Sequence, residues 1–294
     1  MYFRVWARGT PLIESPPALL LRPAVMTQLS SEYRQRFGGL GRLYGETALN
    51  HLHNAHAVVV GIGGVGTWVA EGLVRSGVGE ITLIDMDDIC ITNSNRQLHA
   101  MSSTIGQQKI QVMTARLKDI NPELIVHAVD DFLDSDNLEQ LIHEGVDFVI
   151  DAIDAAYVKA ALINFCKRRK KIILTVGSAG GKMDPQKITH GDLIRTINDP
   201  LLAKTRNCLR RIHNFSRNPK RVFTIEAIYS TEQMTYPDQQ GGTCQARTGM
   251  DTSAGLDCNS GFGAATMVTA TFGFVAVSRA IEKYLAKCER SRAL

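Results

Sequence analysis

The sequence has no CxxC pair among its cysteines, which are Cys90, Cys166, Cys208, Cys244, Cys258 and Cys288. This spacing excludes a zinc site made of two CxxC pairs and is not that of a disulfide framework, so it indicates a reducing, cytoplasmic setting. Aromatic residues are scarce at 6%, and the formal charge of +4 is small for 294 residues. Any preference for a polyanion must therefore come from local clusters of charge.

The sequence also has little that is typical of a membrane segment. One uncharged stretch, residues 258–278, is long enough to cross a bilayer, but it is rich in Gly, Ala, Thr and Ser. Its modest hydrophobicity favours a buried helix over a membrane span, with peripheral membrane contact as the less favoured alternative. Residues 1–25 mix Pro, Arg and short apolar pieces without a periodic pattern or a small-residue cleavage site, which predicts a disordered extension.

Short apolar runs alternate with helical patterns through the first two thirds of the chain. The runs are AHAVVVGIGG, EITLIDMDD, IVHAVDDF, VDFVIDAID and KIILTVGSAGG. This alternation predicts an α/β fold of Rossmann type, with a doubly wound, mainly parallel sheet and helices on both faces. We expect a nucleotide-binding domain over residues 26–180, then a mixed and helical C-terminal part over 181–294 that is continuous with the same fold. Ahead of the first strand, RFGGLGRLYG predicts a glycine-rich turn between two helical pieces.

Residues 61–66, GIGGVG, form a G-x-G-x-x-G motif between a predicted strand and a predicted helix. Gly61 permits a tight turn, Gly63 lets the backbone approach a phosphate, and Gly66 lets the helix pack against the sheet. Asp85, at the end of the next strand, is placed to accept hydrogen bonds from ribose hydroxyls. Such a motif is most often an NAD or FAD site, so it predicts a nucleotide without specifying the reaction.

Further charged residues are predicted at the same edge of the sheet. They are Asp87, Arg96 in the loop TNSNRQ, Lys109 early in the next helix, and Asp154 after the fourth strand. Attack of a carboxylate on the α-phosphate of ATP needs cations fixed in advance, whereas hydride transfer has little use for them. Mg²⁺ takes one or two carboxylates plus phosphate oxygens, and Asp154 is a suitable ligand. Taken singly, Arg96 and Lys109 are ordinary surface charges and Asp154 is a helix N-cap, but together they predict ATP and Mg²⁺.

These segments resemble the E1-like superfamily, which includes adenylating enzymes of molybdopterin and thiamine biosynthesis and the ubiquitin-activating enzymes. Within it, the chain resembles the tRNA threonylcarbamoyladenosine dehydratase family. The similarity lies in RFGGLGRLYG, VVGIGGVGTWVAEGLVRSGVGEITLIDMDDICITNSNRQLHA, GQQK, INPE, VDDF, FVIDAID and DCNSGFGAATMVTATFGFVAVS. It covers nearly all of residues 31–280.

The resemblance implies roles for individual residues. ATP contacts are implied at Gly63, Asp85, Asn93, Arg96 and Lys109, to which the glycine motif and the acidic strand end add Gly61, Gly64, Gly66 and Asp87. Arg96, Lys109 and Asp154 are the implied catalytic residues, with Asp154 at the metal. Arg42 matches an arginine that reaches the triphosphate from the partner subunit of a homodimer. The spacing around it departs from the superfamily's R-Y-x-R-Q pattern, so Arg36 competes for that role.

Two basic clusters bear on the substrate. Seven basic residues and no acidic one lie between residues 204 and 221, namely Lys204, Arg206, Arg210, Arg211, Arg217, Lys220 and Arg221. KRRKK, residues 167–171, is a second cluster at a predicted helix end. A solvated face and a favourable helix dipole are the ordinary explanations, but two clusters on this scaffold favour docking of an RNA backbone.

The resemblance implies a reaction in which ATP activates the carboxylate of N6-threonylcarbamoyladenosine in tRNA, and the ring then closes with net loss of water. Cys258 begins the final small-residue stretch, where a helix N-terminus lowers a thiol pKa, but cyclisation needs no covalent enzyme intermediate. Three alternatives stay open. They are activation of the C-terminus of a ubiquitin-like sulfur carrier, with a sulfur-transfer partner, an NAD-dependent oxidoreductase, and a non-catalytic tRNA-binding module.

Overall fold

The computed structural model describes residues 28–134, 136–218, 220–238, 242–245 and 263–292. The predicted N-terminal extension and Cys258 lie outside these residues. The described helices are α1 Ser31–Tyr44, α2 Glu46–Asn54, α3 Gly66–Arg75, α4 Lys109–Ile120, α5 Leu138–Leu141, α6 Ala156–Arg168, α7 Pro200–Ile212 and α8 Thr266–Arg292. The strands are β1 His56–Val60, β2 Glu80–Ile84, β3 Ile125–Val129, β4 Phe148–Asp151, β5 Ile172–Val176, β6 Ile188–Asp192, β7 Glu226–Ser230, β8 Tyr236–Pro237 and β9 Thr243–Cys244.

Seven of the strands form one sheet in the order β3-β2-β1-β4-β5-β7-β6. Every neighbouring pair is parallel except β6 and β7, which are antiparallel at the edge of the sheet. The order reverses between β1 and β4, because the chain runs from β1 through β2 to β3 on one side and then crosses to β4 on the other. The carboxyl ends of the strands leave a crevice at this point. The predicted Rossmann-like, mainly parallel sheet is confirmed. Strands β6 and β7, from the part beyond residue 181, belong to this sheet.

Strand β1 explains why the sheet is covered on both faces. All five residues of HAVVV are buried. Ala57 and Val59 pack into the cluster formed with α3, α4 and α8, whereas Val58 and Val60 pack into the cluster formed with α6 and α7. A continuous apolar run is typical of a parallel strand buried on both faces, because alternate side chains point to opposite helix layers.

The long helix α8 packs closely on α3 through small residues. A Cβ atom at Gly273 would lie 2.7 Å from the Cβ of Trp68, and one at Gly72 would lie 3.1 Å from Cγ2 of Val277. From Thr266 onward, the uncharged stretch is therefore a helix packed against α3, and the small residues permit that approach. Across the described ranges, no helix has both the length and the apolar character needed to cross a membrane.

Two predicted elements differ from the structure. The two helical pieces predicted around RFGGLGRLYG are present, but the break between them is Gly45 alone, whose φ is 93°. The other glycines, Gly38, Gly39 and Gly41, lie within α1, which ends at Tyr44. A Cβ at Gly41 would lie 2.6 Å from Oε1 of Glu46, so glycine allows α1 and α2 to meet. The helical pattern SDNLEQLIHEG, between the apolar runs IVHAVDDF and VDFVIDAID, forms only the single turn of α5.

Candidate functional site

The glycine loop connects β1 to α3 and has the geometry that two of its glycines dictate. Gly61 has a φ of 86°, and a Cβ there would lie 2.9 Å from the carbonyl oxygen of Ala152. A Cβ at Gly66 would lie 1.7 Å from the carbonyl oxygen of Gly61. Both positions therefore exclude any side chain. Gly63 faces more open space, with only the Gln97 amide nitrogen 4.0 Å from a Cβ position there.

Asp85 ties the glycine loop to the loop that follows β2. Its Oδ2 accepts a 2.6 Å hydrogen bond from the backbone N–H of Ile62, and its Oδ1 accepts one of 2.9 Å from that of Asp87. Asp85, which is predicted to bind the nucleotide, therefore also positions the glycine loop, because its carboxylate accepts the backbone N–H of Ile62 in that loop.

Lys109 is brought to the same carboxylates by the start of α4. Its side chain is only 6% exposed, and its Nζ lies 2.6 Å from Oδ2 of Asp87 and 3.6 Å from Oδ1 of Asp85. The backbone N–H of Lys109 also donates to the carbonyl of Asp87. The structure therefore places the three predicted residues in one charged group at the carboxyl end of β2.

The loop between β2 and α4 lies over the glycine loop. Asn93 is buried and its Oδ1 accepts a hydrogen bond from the backbone N–H of Cys90. Arg96 donates through Nη1 to the Thr92 carbonyl and to Oδ1 of Asn95, each at 2.8 Å. The Cγ of Arg96 would lie 3.4 Å from a Cβ at Gly64, so this arginine borders the glycine loop as predicted.

Two residues that the sequence analysis did not identify complete this environment. His99 is fully buried with its Nε2 3.0 Å from the carbonyl oxygen of Ile62, and burial lowers its pKa. Gln97 is also buried. Among the described residues, Nδ1 of His99 and Oε1 of Gln97 have no hydrogen-bond partner. Buried polar atoms are nearly always paired, so each of these two has a hydrogen bond to offer to a ligand or an ordered water.

The two carboxylates of the sequence Asp151-Ala152-Ile153-Asp154 differ in their surroundings. Asp151 and Lys159 are both fully buried, with Nζ 2.9 Å from Oδ1 of Asp151. Thr175 donates to the other oxygen at 2.7 Å. Asp154 is exposed and makes no hydrogen bond or ion pair within the described ranges. Because Ala152 touches Gly61, this free carboxylate follows directly on the wall of the glycine loop.

The seven predicted RNA-binding residues have two kinds of surroundings. Five of the side chains are exposed and make no ion pair with the described residues, namely those of Lys204, Arg211, Arg217, Lys220 and Arg221. Arg206 and Arg210 are instead half-buried. Arg206 donates to the carbonyl of Leu193 and to the Thr196 hydroxyl, and Arg210 lies over the ring of Phe223.

The cluster at residues 167–171 is largely used within the protein. Lys167 donates to the carbonyl of Phe223, Arg169 pairs with Glu139, and Lys171 donates to the carbonyl of Val146 at 2.9 Å. Three of its five cations therefore fasten α6 and the start of β5 to their neighbours.

The two candidate arginines on α1 also differ. Arg36 pairs with Glu32 at 2.7 Å and donates to the carbonyl of Ile120. Arg42 lies exposed in the last turn of α1 and has no ion pair with any part of the chain that the structure describes. Of the two, Arg42 has the uncommitted guanidinium.

A glycine loop after the first strand of a doubly wound sheet, bordered by a lysine, an arginine and a free carboxylate, defines a nucleotide-binding α/β protein. A model of the ThiF family matches residues 38–292, and the chain belongs to that family. The predicted resemblance to the E1-like superfamily is thereby confirmed.

Individual relatives resemble the chain over almost its whole length. It is 55% identical over 263 residues to the tRNA threonylcarbamoyladenosine dehydratase of Haemophilus influenzae, which covers 90% of this chain and 98% of that protein. It is 51% identical over 262 residues to the Escherichia coli protein of the same name, over 89% of this chain and 98% of that one. The crystal structure of the E. coli dehydratase in complex with ATP matches with a TM-score of 0.80 at 48% identity, covering 90% and 99% of the two chains.

Proposed function

We propose that this protein is an ATP-dependent tRNA-modifying enzyme that dehydrates N6-threonylcarbamoyladenosine by cyclisation, releasing AMP and pyrophosphate. The observation that carries the proposal is the gathering of Arg96, Lys109 and an unpaired Asp154 around one glycine loop. The full-length similarity to proteins named as such dehydratases supports the choice of substrate.

The loop suits a nucleotide. Gly63 faces open space, and Oε1 of Gln97 and Nδ1 of His99 have no partner among the described residues. Backbone N–H groups at the start of α3 are donors for phosphate oxygens, and the helix dipole favours negative charge there. We therefore propose ATP as the nucleotide.

In the proposed first step, a carboxylate oxygen of the threonyl group attacks the α-phosphorus of ATP, and pyrophosphate leaves. In the second, the carbamoyl group of the same side chain attacks the activated carbonyl carbon, and AMP leaves with the carboxylate oxygen. Arg96 and Lys109 hold positive charge where negative charge accumulates on the α-phosphate. Both reacting groups belong to one substrate, so the ring closes in an effectively unimolecular step.

Asp154 fits the proposed Mg²⁺. Asp151 is committed to Lys159 and Thr175, and Asp87 is committed to Lys109, whereas Asp154 makes no hydrogen bond or ion pair with the described residues. One protein carboxylate, completed by phosphate oxygens and water, is a usual ligand set for Mg²⁺. The ion would offset the negative charge of the phosphates.

The test is AMP release from ATP and Mg²⁺ with tRNA that carries or lacks the threonylcarbamoyl group, with mass spectrometry of the nucleoside. We expect AMP only with the modified tRNA, together with loss of one water from the nucleoside. Pyrophosphate exchange that requires a ubiquitin-like carrier and ignores tRNA would instead identify a carrier-activating enzyme. Preferential nicotinamide binding would identify an oxidoreductase, and RNA affinity without AMP would identify a binding module.

Gly66→Ala tests the nucleotide site directly. The added Cβ would overlap the Gly61 carbonyl oxygen, a backbone atom that cannot move aside without displacing the loop. We expect ATP affinity, measured by isothermal titration calorimetry, to fall by about 100-fold or more, a loss comparable to two hydrogen bonds to charged phosphate. Gly38→Ala is a matched control, because Gly38 is also a helical glycine without a positive φ, but a Cβ there meets nothing within 4 Å. Equal ATP affinity for Gly66→Ala and the wild type would contradict the assignment of the loop.

We propose that the five exposed basic residues contact the RNA backbone, and that a homodimer brings Arg42 to the triphosphate of the partner. Phosphate contacts by Lys and Arg release counterions, so RNA affinity should fall as salt rises. The uncommitted guanidinium of Arg42 supports its choice over Arg36.

A further inference from the structure

An open cavity of about 270 Å³ lies between the start of α7 and the segments that follow β5 and β7. Its lining includes Asn198, Asp199, Arg206, Gln233, Tyr236 and Gln245. The cavity is near the lower end of ligand pockets, which start at about 300 Å³. Its size suits a single base with a small substituent.

The floor of the cavity is rigidly held. Asp199 is buried and caps α7 by accepting the backbone N–H of Leu202, and its second oxygen accepts that of Ser178, both at 2.9 Å. Lys182 links two sides of the cavity, because its Nζ donates to the carbonyls of both Asn198 and Glu232. These contacts fasten the ends of β5 and β7 to the start of α7.

Arg206 faces this cavity with part of its guanidinium unused. Its described hydrogen bonds, to the carbonyl of Leu193 and the hydroxyl of Thr196, both come from Nη1. Nε and Nη2 therefore remain as donors for a ligand. The lining has one cation, Arg206, and one carboxylate, Asp199, so it has no excess of positive charge and is poorly suited to a phosphate.

The cavity is within reach of the adenylation site. β5 pairs with β4, and β7 pairs with β5. Strands are spaced by about 4.8 Å, which puts the carboxyl end of β7 roughly 10 Å from that of β4, which leads to Asp154. An adenine in the cavity and its threonylcarbamoyl substituent together can bridge such a distance towards the α-phosphate.

We propose that this cavity receives the modified adenine base itself, extruded from the RNA strand. The inference rests on the proposed function and adds the place where the substrate nucleoside is recognised. Tyr236 supplies an aromatic face, and the amides of Gln233 and Gln245 supply donors and acceptors for a base edge and a carbamoyl group. Asn198, whose Nδ2 already donates to the Thr231 carbonyl, supplies an acceptor. Bases in single-stranded RNA are read by this combination of stacking and edge hydrogen bonds. Arg206 is then a base-recognition residue, distinct from the exposed cations that hold the backbone.

Arg206→Gln separates these roles. We expect kcat/KM for modified tRNA to fall roughly 10- to 100-fold, the effect of losing a hydrogen bond from a charged donor. The Kd for unmodified tRNA, measured by filter binding, should rise far less, because an adenine without the threonylcarbamoyl group makes fewer contacts in the cavity. Arg195→Gln, at an exposed arginine on the neighbouring turn, is the matched control and should change neither quantity.

Tyr236→Leu is the second variant, used if Arg206→Gln lowers the melting temperature through its contacts with Leu193 and Thr196. It should weaken binding of the free modified nucleoside, measured by calorimetry, and raise KM for modified tRNA. Equal losses of affinity for modified and unmodified tRNA in Arg206→Gln would make Arg206 a backbone contact and overturn the proposal. Unchanged kinetics in both variants would overturn it as well. Failure of the proposed function is seen separately, as wild-type protein that releases no AMP with modified tRNA.

Discussion

Asp154→Asn should lower the rate of AMP formation by about 100- to 1,000-fold, the usual cost of removing one group that stabilises a charged transition state. The substitution keeps the size of the side chain and removes the charge that Mg²⁺ requires. Since Asp154 is exposed and makes no hydrogen bond or ion pair in the described part of the chain, the melting temperature should not change. Initial rates at several Mg²⁺ concentrations and a thermal melt measure the two effects.

Two further variants test whether the loss of rate is specific to the carboxylate of Asp154. Glu289→Gln removes an exposed carboxylate near the end of α8 and should leave the AMP rate and its Mg²⁺ dependence as in the wild type. Asp151→Asn, three residues before Asp154, should lower the melting temperature, because Asp151 is buried against Lys159. An Asp154→Asn enzyme that keeps its rate would remove this residue from the mechanism and the metal from this position.

Local sequence patterns were sufficient to predict the elements around the nucleotide site. The apolar run of β1 and the glycine motif that follows it are signals within a dozen residues, and both were predicted where the structure has them. The glycines of α1, in contrast, were misleading, because contacts outside the local sequence decide the structure there. Glycine costs a helix about 1 kcal/mol relative to alanine, so a cluster of it predicts a turn. Burial of Tyr33 and Phe37 and the approach of α2 outweigh that cost.

The residues of the candidate site could be predicted only where their positions at the ends of strands bring them together. Asp85 and Asp87 follow β2, and Lys109 starts the helix that returns to it, so their meeting could be inferred from topology. The different roles of Asp151 and Asp154 could not, because they depend on Lys159 and Thr175, which only the folded sheet brings to Asp151.

Arg206 illustrates the same limit in the basic segment. In the sequence it is one of seven similar charges. Only the position of α7 against the turn at Leu193 and Thr196 gives it partners that the exposed cations lack. A run of basic residues therefore predicts the class of ligand. It does not predict which residue of the run makes a different contact.

Lys159→Met should destabilise the protein by about 3 to 5 kcal/mol, the usual cost of leaving one member of a buried ion pair without its partner. Both side chains are fully buried, and Nζ of Lys159 also donates to the hydroxyl of Thr175 and the carbonyl of Asp151. Methionine fills a similar volume, so the loss is that of the charge rather than of packing. Guanidinium denaturation followed by circular dichroism measures it.

The double variant Lys159→Met with Asp151→Asn distinguishes the ion pair from other effects of the substitution. Removing both charges leaves no unpaired ion, so this variant should be more stable than Lys159→Met alone. If the single and double variants are equally unstable, the cost lies in packing and not in the uncompensated carboxylate. Because Asp151 also accepts the backbone N–H of Ile153 at 3.1 Å, the pair fixes the turn that presents Asp154. The AMP rate of the double variant should therefore stay below that of the wild type even where the protein is fully folded.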